Sequence, residues 1–196
     1  PMAEHRIWFD CDTGVDDAIA LTAHPALRSL LRGIALMGGA AVGGNRTPCS
    51  EFNIHADPDA AEIVFSSGIP IVMCGLDVTE QAWFSPEEFA ALPDTPVGRF
   101  ARAATAGPMQ KNMARGAGGL CLHDVCPVLY LTHPELFTGR QAGVHVETRG
   151  TVTYAKTVTD LDSDAKFPER NVFVVLGVDR AGFAAHITEA LSSYAG

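Results

Sequence analysis

Apolar and polar positions along the chain alternate between two rhythms. In RIWFD (Arg6 to Asp10) three large apolar residues stand together between polar ends, the pattern of a buried strand. The next stretch, DDAIALTAH (Asp16 to His24), spaces its apolar residues as a helix does. The exchange then repeats. GIALMGG (Gly33 to Gly39) predicts a second strand ending in glycines, and DPDAAEIVFSSG (Asp57 to Gly68) predicts a helix with an aspartate start and a glycine stop. IPIVMCGLD (Ile69 to Asp77) predicts a third strand, and SPEEFAALP (Ser85 to Pro93) a helix capped by Ser85 with Pro86 in its first turn. Strands alternating with helices imply an α/β fold built on a mostly parallel, Rossmann-like sheet with helices on both faces.

Beyond Pro93 the rhythm loosens. ATAGPMQKNMARGAGGLCLHD (Ala104 to Asp124) predicts a helix followed by a glycine loop of the kind that can sit over a site. CPVLYLTHPELF (Cys126 to Phe137) returns to a helix, AGVHVETRGTVTYAKTVTD (Ala142 to Asp160) alternates as strands, and NVFVVLGVDRAGFAAHITEALSSY (Asn171 to Tyr194) gives one strand and a closing helix. There is no internal repeat and no low-complexity linker. With 196 residues, 47% of them apolar, the chain can bury one substantial core, so residues 1–196 read as one domain.

Charge narrows the partners. Acidic residues outnumber basic ones by 23 to 14, which gives no general attraction to nucleic acid or to an anionic membrane surface and suits a small polar ligand or a cation better. The opening PMAEHR lacks the basic-then-apolar build of a secretory signal, and no uninterrupted apolar run is long enough to cross a bilayer, which points to the cytoplasm. The five cysteines, Cys11, Cys49, Cys74, Cys121 and Cys126, form no CxxC pair and read as buried free thiols in a reducing compartment.

In open parallel sheets, ligands bind at the carboxyl ends of the strands. Three such ends carry polar residues here: DCDTGVDD, then MGGAAVGGN followed by EFN, then GLDVT. The first crowds Asp10, Asp12, Asp16 and Asp17 into eight residues. Such carboxylates repel one another, and burying one without a partner is costly or forces it to take up a proton, so a bound cation is the simplest explanation. Two rival readings fit poorly. A haloacid-dehalogenase-type phosphatase has the order Asp-x-Asp-Gly-Thr, whereas Thr13 precedes Gly14 here, and its lysine and acid pair has no evident counterpart. An EF-hand loop would need a ligand where Gly14 stands and a glutamate where Leu21 stands. The glycines of GGAAVGG match neither GxGxxG nor GxxxxGK[ST] spacing, so they do not support nucleotide binding.

DCDTGVDDA resembles the signature of the inosine-uridine preferring nucleoside hydrolases, whose usual form has proline where this chain has Thr13. MGGAAVGGNRTPCSEFNIHADPDAAEIVF, LDVTEQA and LHDVCPVLYLTHPELF resemble later blocks of that family in the right order. The resemblance implies a nucleoside hydrolase fold, hydrolysis of the N-glycosidic bond of ribonucleosides to ribose and free base, a Ca2+ cofactor and a homo-oligomer, dimer or tetramer.

By the family pattern, Asp12, Asp17 and Asp124 would ligate calcium, a hard cation that takes several oxygen ligands. Asp12 would also take a proton from the attacking water, and Asp10 would brace the loop. Asp16, Asn45, Glu51 and Asn53 would bind the ribose hydroxyls, with Met37 packed beside the sugar. His123, directly before Asp124, is the candidate acid for the departing base, because an unperturbed imidazole titrates near neutrality. His5, His24, His55, His133, His145 and His186 read as structural or surface residues. Trp83, Phe84, Met109 and Met113 suit either a base pocket or the core, and core is the commoner fate of such residues. Purine or pyrimidine preference is not legible.

One departure from the family stands out. The first helix normally leads into a substantial segment with further strands, a ribose-contacting asparagine loop and a turn whose carbonyl ligates calcium. Here DDAIAL runs almost directly into HPALRSLLRGIALMGG, so that middle segment is absent near residues 21–28, with the break between about Leu21 and Pro25. A natural short homologue, an engineered deletion and a longer chain only partly represented are all compatible with this. Two functions follow: an active calcium-dependent hydrolase, or a non-catalytic homologue that binds ribose, nucleoside or calcium.

Overall fold

A computed structural model describes residues 7–11, 31–162, 164 and 166–193. Asp12, Asp16, Asp17, the first predicted helix and the apparent break near residues 21–28 lie outside the described residues.

The predicted alternation produces one main sheet of six strands in the order β1-β2-β3-β8-β6-β7. Strands β1 (Ile7–Cys11), β2 (Leu31–Met37), β3 (Ile71–Cys74) and β8 (Val172–Val178) run parallel, while β6 (Phe137–Val146) and β7 (Thr157–Asp160) continue the sheet antiparallel. Alternate side chains of a strand face opposite ways, so successive residues feed different layers. Ile34, Leu36, Ile71, Met73, Val172 and Val174 pack on one face with Ile54, Ala61, Val64 and Phe65. Ala35, Val72, Cys74 and Val175 pack on the other with Val78, Cys126, Leu129, Phe137 and Phe183. Each large side chain so buried contributes roughly 1.5–3 kcal/mol.

Local signals set the helices. Helix α1 (Phe52–Ala56) is capped by Glu51, and α2 (Pro58–Phe65) by Asp57, whose carboxylate accepts from Ala60 N at 2.9 Å. After β3 comes the short α3 (Leu76–Thr79). Helix α4 (Pro86–Ala91) opens with a capping box in which Ser85 and Glu88 satisfy each other's backbone N–H groups. Helix α5 (Pro96–Ala114) starts earlier than the spacing around Ala104 suggests. Its start signal is local: the Thr95 hydroxyl accepts from Gly98 N at 3.1 Å and Pro96 occupies the first turn. Pro108 sits inside this helix, and its own turn therefore lacks one backbone donor. Strands β4 (Trp83–Phe84) and β5 (Leu120–Cys121) pair antiparallel beneath it, a small second sheet that the apolar pattern does not announce. Helix α6 (Val125–Thr132), a 3-10 turn (Pro134–Leu136) and the closing α7 (Arg180–Ser193) complete the chain. No helix of the described residues is long and apolar enough to cross a membrane.

Cys49, Cys74, Cys121 and Cys126 are free. Cys74 and Cys126 are buried, and burial raises both thiols, Cys126 to about 12. Cys49 and Cys121 are only half-buried, a correction to the buried reading for these two.

Candidate active site

Strands β1, β2 and β3 end side by side, with Cys11 opposite Leu36 and Met37 opposite Cys74. At this end of the sheet a cleft of about 300 Å³ is lined by Met37, Asn45, Glu51, Phe52, Asn53, His123 and Asp124. All but Phe52 were expected from the sequence. The two blocks they come from lie far apart in the chain and meet because α6 begins beside the strand ends. Of the expected site residues, Asp12, Asp16 and Asp17 are not described, and of Asp10 only the backbone pairing with Ala35 is.

Glu51 is 2% exposed, and its carboxylate collects three backbone N–H groups. Oε2 accepts from Gly39 at 3.1 Å, Asn53 at 2.9 Å and Ile54 at 3.2 Å, and Oε1 also accepts from Asn53 at 3.0 Å. It therefore fastens the end of β2 to the start of α1, and little acceptor capacity is left for a ligand. The two asparagine amides are oriented by partners that admit one assignment each. Asn45 Oδ1 accepts from Phe52 N at 2.8 Å, which leaves its NH2 as a donor. Asn53 Nδ2 donates to Met37 O at 3.2 Å, which leaves Oδ1 as an acceptor. The cleft thus offers one amide donor and one amide acceptor, complementary to a hydroxyl pair.

His123 Nδ1 shares a hydrogen with the buried Thr79 hydroxyl at 2.8 Å. Nε2 is then the ring nitrogen left for a ligand. Asp124 is exposed at the start of α6 and makes no cap hydrogen bond among the described residues.

The glycine-rich segment bearing Asn45 is held by contacts that sequence reasoning missed. Asp77, in the first turn of α3 just after β3, accepts from Ala41 N at 2.6 Å and Val42 N at 3.0 Å. Lys156 Nζ donates to Ala40 O at 2.7 Å and Ala41 O at 3.0 Å, and Thr157 Oγ1 binds both Ala40 N and Ala40 O. Burial lowers the Lys156 ammonium below the ordinary lysine range, with Asp77 pulling the other way. At Gly39, φ is +76° and a Cβ would stand 2.7 Å from Met73 Cε, so only glycine fits this turn. Asp77 and Thr79 were findable as the polar residues of LDVT at a strand end. Lys156 and Thr157 carried no local signal.

The aromatic candidates divide. Phe84 is fully buried, Met109 is buried beside it, Trp83 is covered by the Arg180 guanidinium at 3.9 Å, and Met113 is 45% exposed. None of the four lines the cleft.

A family model described as inosine-uridine preferring nucleoside hydrolase matches residues 18–185. A pyrimidine-specific ribonucleoside hydrolase of Shewanella woodyi is 41% identical over 181 residues, covering 90% of this chain and 58% of that protein. A non-specific ribonucleoside hydrolase of Escherichia coli is 43% identical over 180 residues, covering 89% and 57%. The solved structure of a purine-preferring ribonucleoside hydrolase from Gardnerella vaginalis superposes with a TM-score of 0.81 at 33% identity, covering 90% of this chain and 57% of that one. The chain thus spans less than three fifths of the length of these relatives. It belongs to the inosine-uridine preferring nucleoside hydrolase family.

Proposed function

We propose that this chain hydrolyses the N-glycosidic bond of ribonucleosides to ribose and free base. The observation that carries the reading is the gathering of Met37, Asn45, Glu51, Asn53, His123 and Asp124 around one cleft at the carboxyl end of the parallel strands. The relatives' names support it as well.

In this reading the ribose lies against Met37, with its hydroxyls donating to Asn53 Oδ1 and accepting from the Asn45 amide. Asp16 completes that grip, and Glu51 acts mainly by holding both segments in register. Water attacks C1′ as the bond to the base breaks and its electron pair moves to the base nitrogen. Asp12 takes the proton from the water and His123 delivers one to the base. The fixed carbonyls and carboxylates favour the positive charge that develops on the sugar, so they bind the transition state more tightly than the substrate.

The donor chemistry suits calcium: Asp124 is an exposed carboxylate with no cap hydrogen bond among the described residues, and Asp12 and Asp17 would join it. When bound, such an ion supplies Lewis acidity that makes water nucleophilic near neutral pH. A homo-oligomer and a cytoplasmic setting belong to the same proposal.

The test is ribose release from inosine and uridine, with and without a calcium chelator, on protein of verified intact mass. Chelator-sensitive release supports the proposal. No release from folded protein sinks it and leaves the second reading, a homologue that binds without turnover, for which Thr13 and the missing middle segment speak.

A further inference from the structure

The far end of α6 carries a second cluster, unconnected with the cleft. His133 closes the helix, Glu135 follows in the 3-10 turn, and His186 projects from α7. One ligand atom from each of the three lies within 4.8 Å of the others. The two imidazoles are in contact, with ring centroids 3.9 Å apart and planes inclined by 36°. Neighbouring backbone bonds fix the arrangement: His133 N donates to Leu129 O at 2.7 Å, Leu136 N to His133 O at 3.1 Å, and Asp179 N to Leu136 O at 2.7 Å. The last of these ties the turn to the start of α7.

Hydrogen bonding also prepares one imidazole. The Thr132 hydroxyl donates to Leu129 O at 3.2 Å, so its oxygen accepts from His133 Nδ1–H at 2.9 Å. That tautomer leaves the Nε2 lone pair of His133 for a metal, with the threonine serving as the outer partner that metal-binding histidines commonly have.

We propose that His133, Glu135 and His186 form a binding site for a divalent transition metal, with zinc as the prime candidate. Two imidazoles and one carboxylate are donors of the kind zinc takes in four-coordinate sites, and water would fill the fourth position. Tetrahedral zinc with bonds of about 2.1 Å needs ligand atoms about 3.4 Å apart. The cluster therefore closes by at most about 1.4 Å, a movement within the reach of partly exposed side chains. A bound ion would staple the C-terminal end of α6 to α7 and so brace the helix that follows Asp124.

The test is calorimetric titration of the untagged chain with zinc chloride in excess calcium, which occupies hard carboxylate sites but competes poorly for imidazole. Wild type should take up one equivalent of zinc. His133→Gln and His186→Gln should each weaken that uptake at least tenfold while the circular dichroism spectrum stays unchanged. No uptake by wild type, or undiminished uptake by either folded variant, would overturn the assignment. Glu135→Gln, on an exposed turn, gives the same discrimination if a histidine variant fails to fold, with weakened binding expected and unchanged binding contradicting it.

Discussion

Helix α6 has a histidine at each end, His123 just before its start and His133 at its close. A threonine hydroxyl holds Nδ1 in both, at 2.8 Å from Thr79 and 2.9 Å from Thr132. Beyond that the two ends differ. His123 opens on a cleft with two oriented amides and the exposed Asp124 carboxylate, whereas His133 lies against a second imidazole on the outside of the fold. In the proposed reading the hydroxyl orients each ring, and what the other nitrogen meets decides the chemistry: proton delivery at one end, a lone pair for a divalent transition metal at the other.

The strongest way to break this contrast is at Asp124. Asp124→Ala should lower ribose release roughly 100- to 1,000-fold, measured as kcat with inosine, and full activity in the folded variant would remove the carboxylate from the mechanism. Glu51→Ala should next cost about 1–3 kcal/mol of stability in denaturant unfolding, because it strands three backbone N–H groups in a buried place. A smaller effect is expected from the matched pair Thr79→Val and Thr132→Val. Losing the hydrogen bond to His123 should slow turnover of inosine about five- to tenfold, with Thr79→Ser restoring it. The same change at Thr132 should leave ribose release unaltered, and equal effects from the two would erase the distinction.

The smallest expected effect separates both histidines from the acid limb of stability. Asp160 accepts from Phe167 N, Lys166 N and Asp162 N, and these bonds, with Arg170 nearby, hold its carboxyl below the usual range. A lowered folded-state value means the contribution is complete above the unfolded value, about pH 3.9, and is lost as pH falls through the folded one. Asp160→Asn should therefore flatten the loss of stability in acid, followed by unfolding midpoints across pH, and an unchanged acid limb would assign that loss elsewhere.

The sequence exposed what is local and hid what is distant. Strands show as apolar runs because their two faces are both covered, and Asp57, Gly68 and Ser85 mark helix ends by backbone chemistry that operates within a few residues. The cleft was legible through motifs at strand ends, since parallel strands deliver their carboxyl ends to one place. Lys156 and Thr157 were obscure because their partners stand 115 to 117 residues away. His133 and His186 read separately as ordinary surface histidines, and only the docking of α7 beside the end of α6 joins them. The early start of α5 was overlooked although Thr95–Pro96 is a start signal, because glycine and alanine blur its apolar spacing.

The most direct measurement is kcat for ribose release by wild type, His123→Ala and His133→Ala, each with inosine and with a nitrophenyl riboside. His123→Ala should lose about 100-fold or more with inosine and little with the nitrophenyl riboside, whose leaving group departs without a proton, while His133→Ala matches wild type on both. A His123→Ala variant as fast as wild type on inosine, or slowed equally on both substrates, would contradict the assignment of His123 as the acid in the cleft.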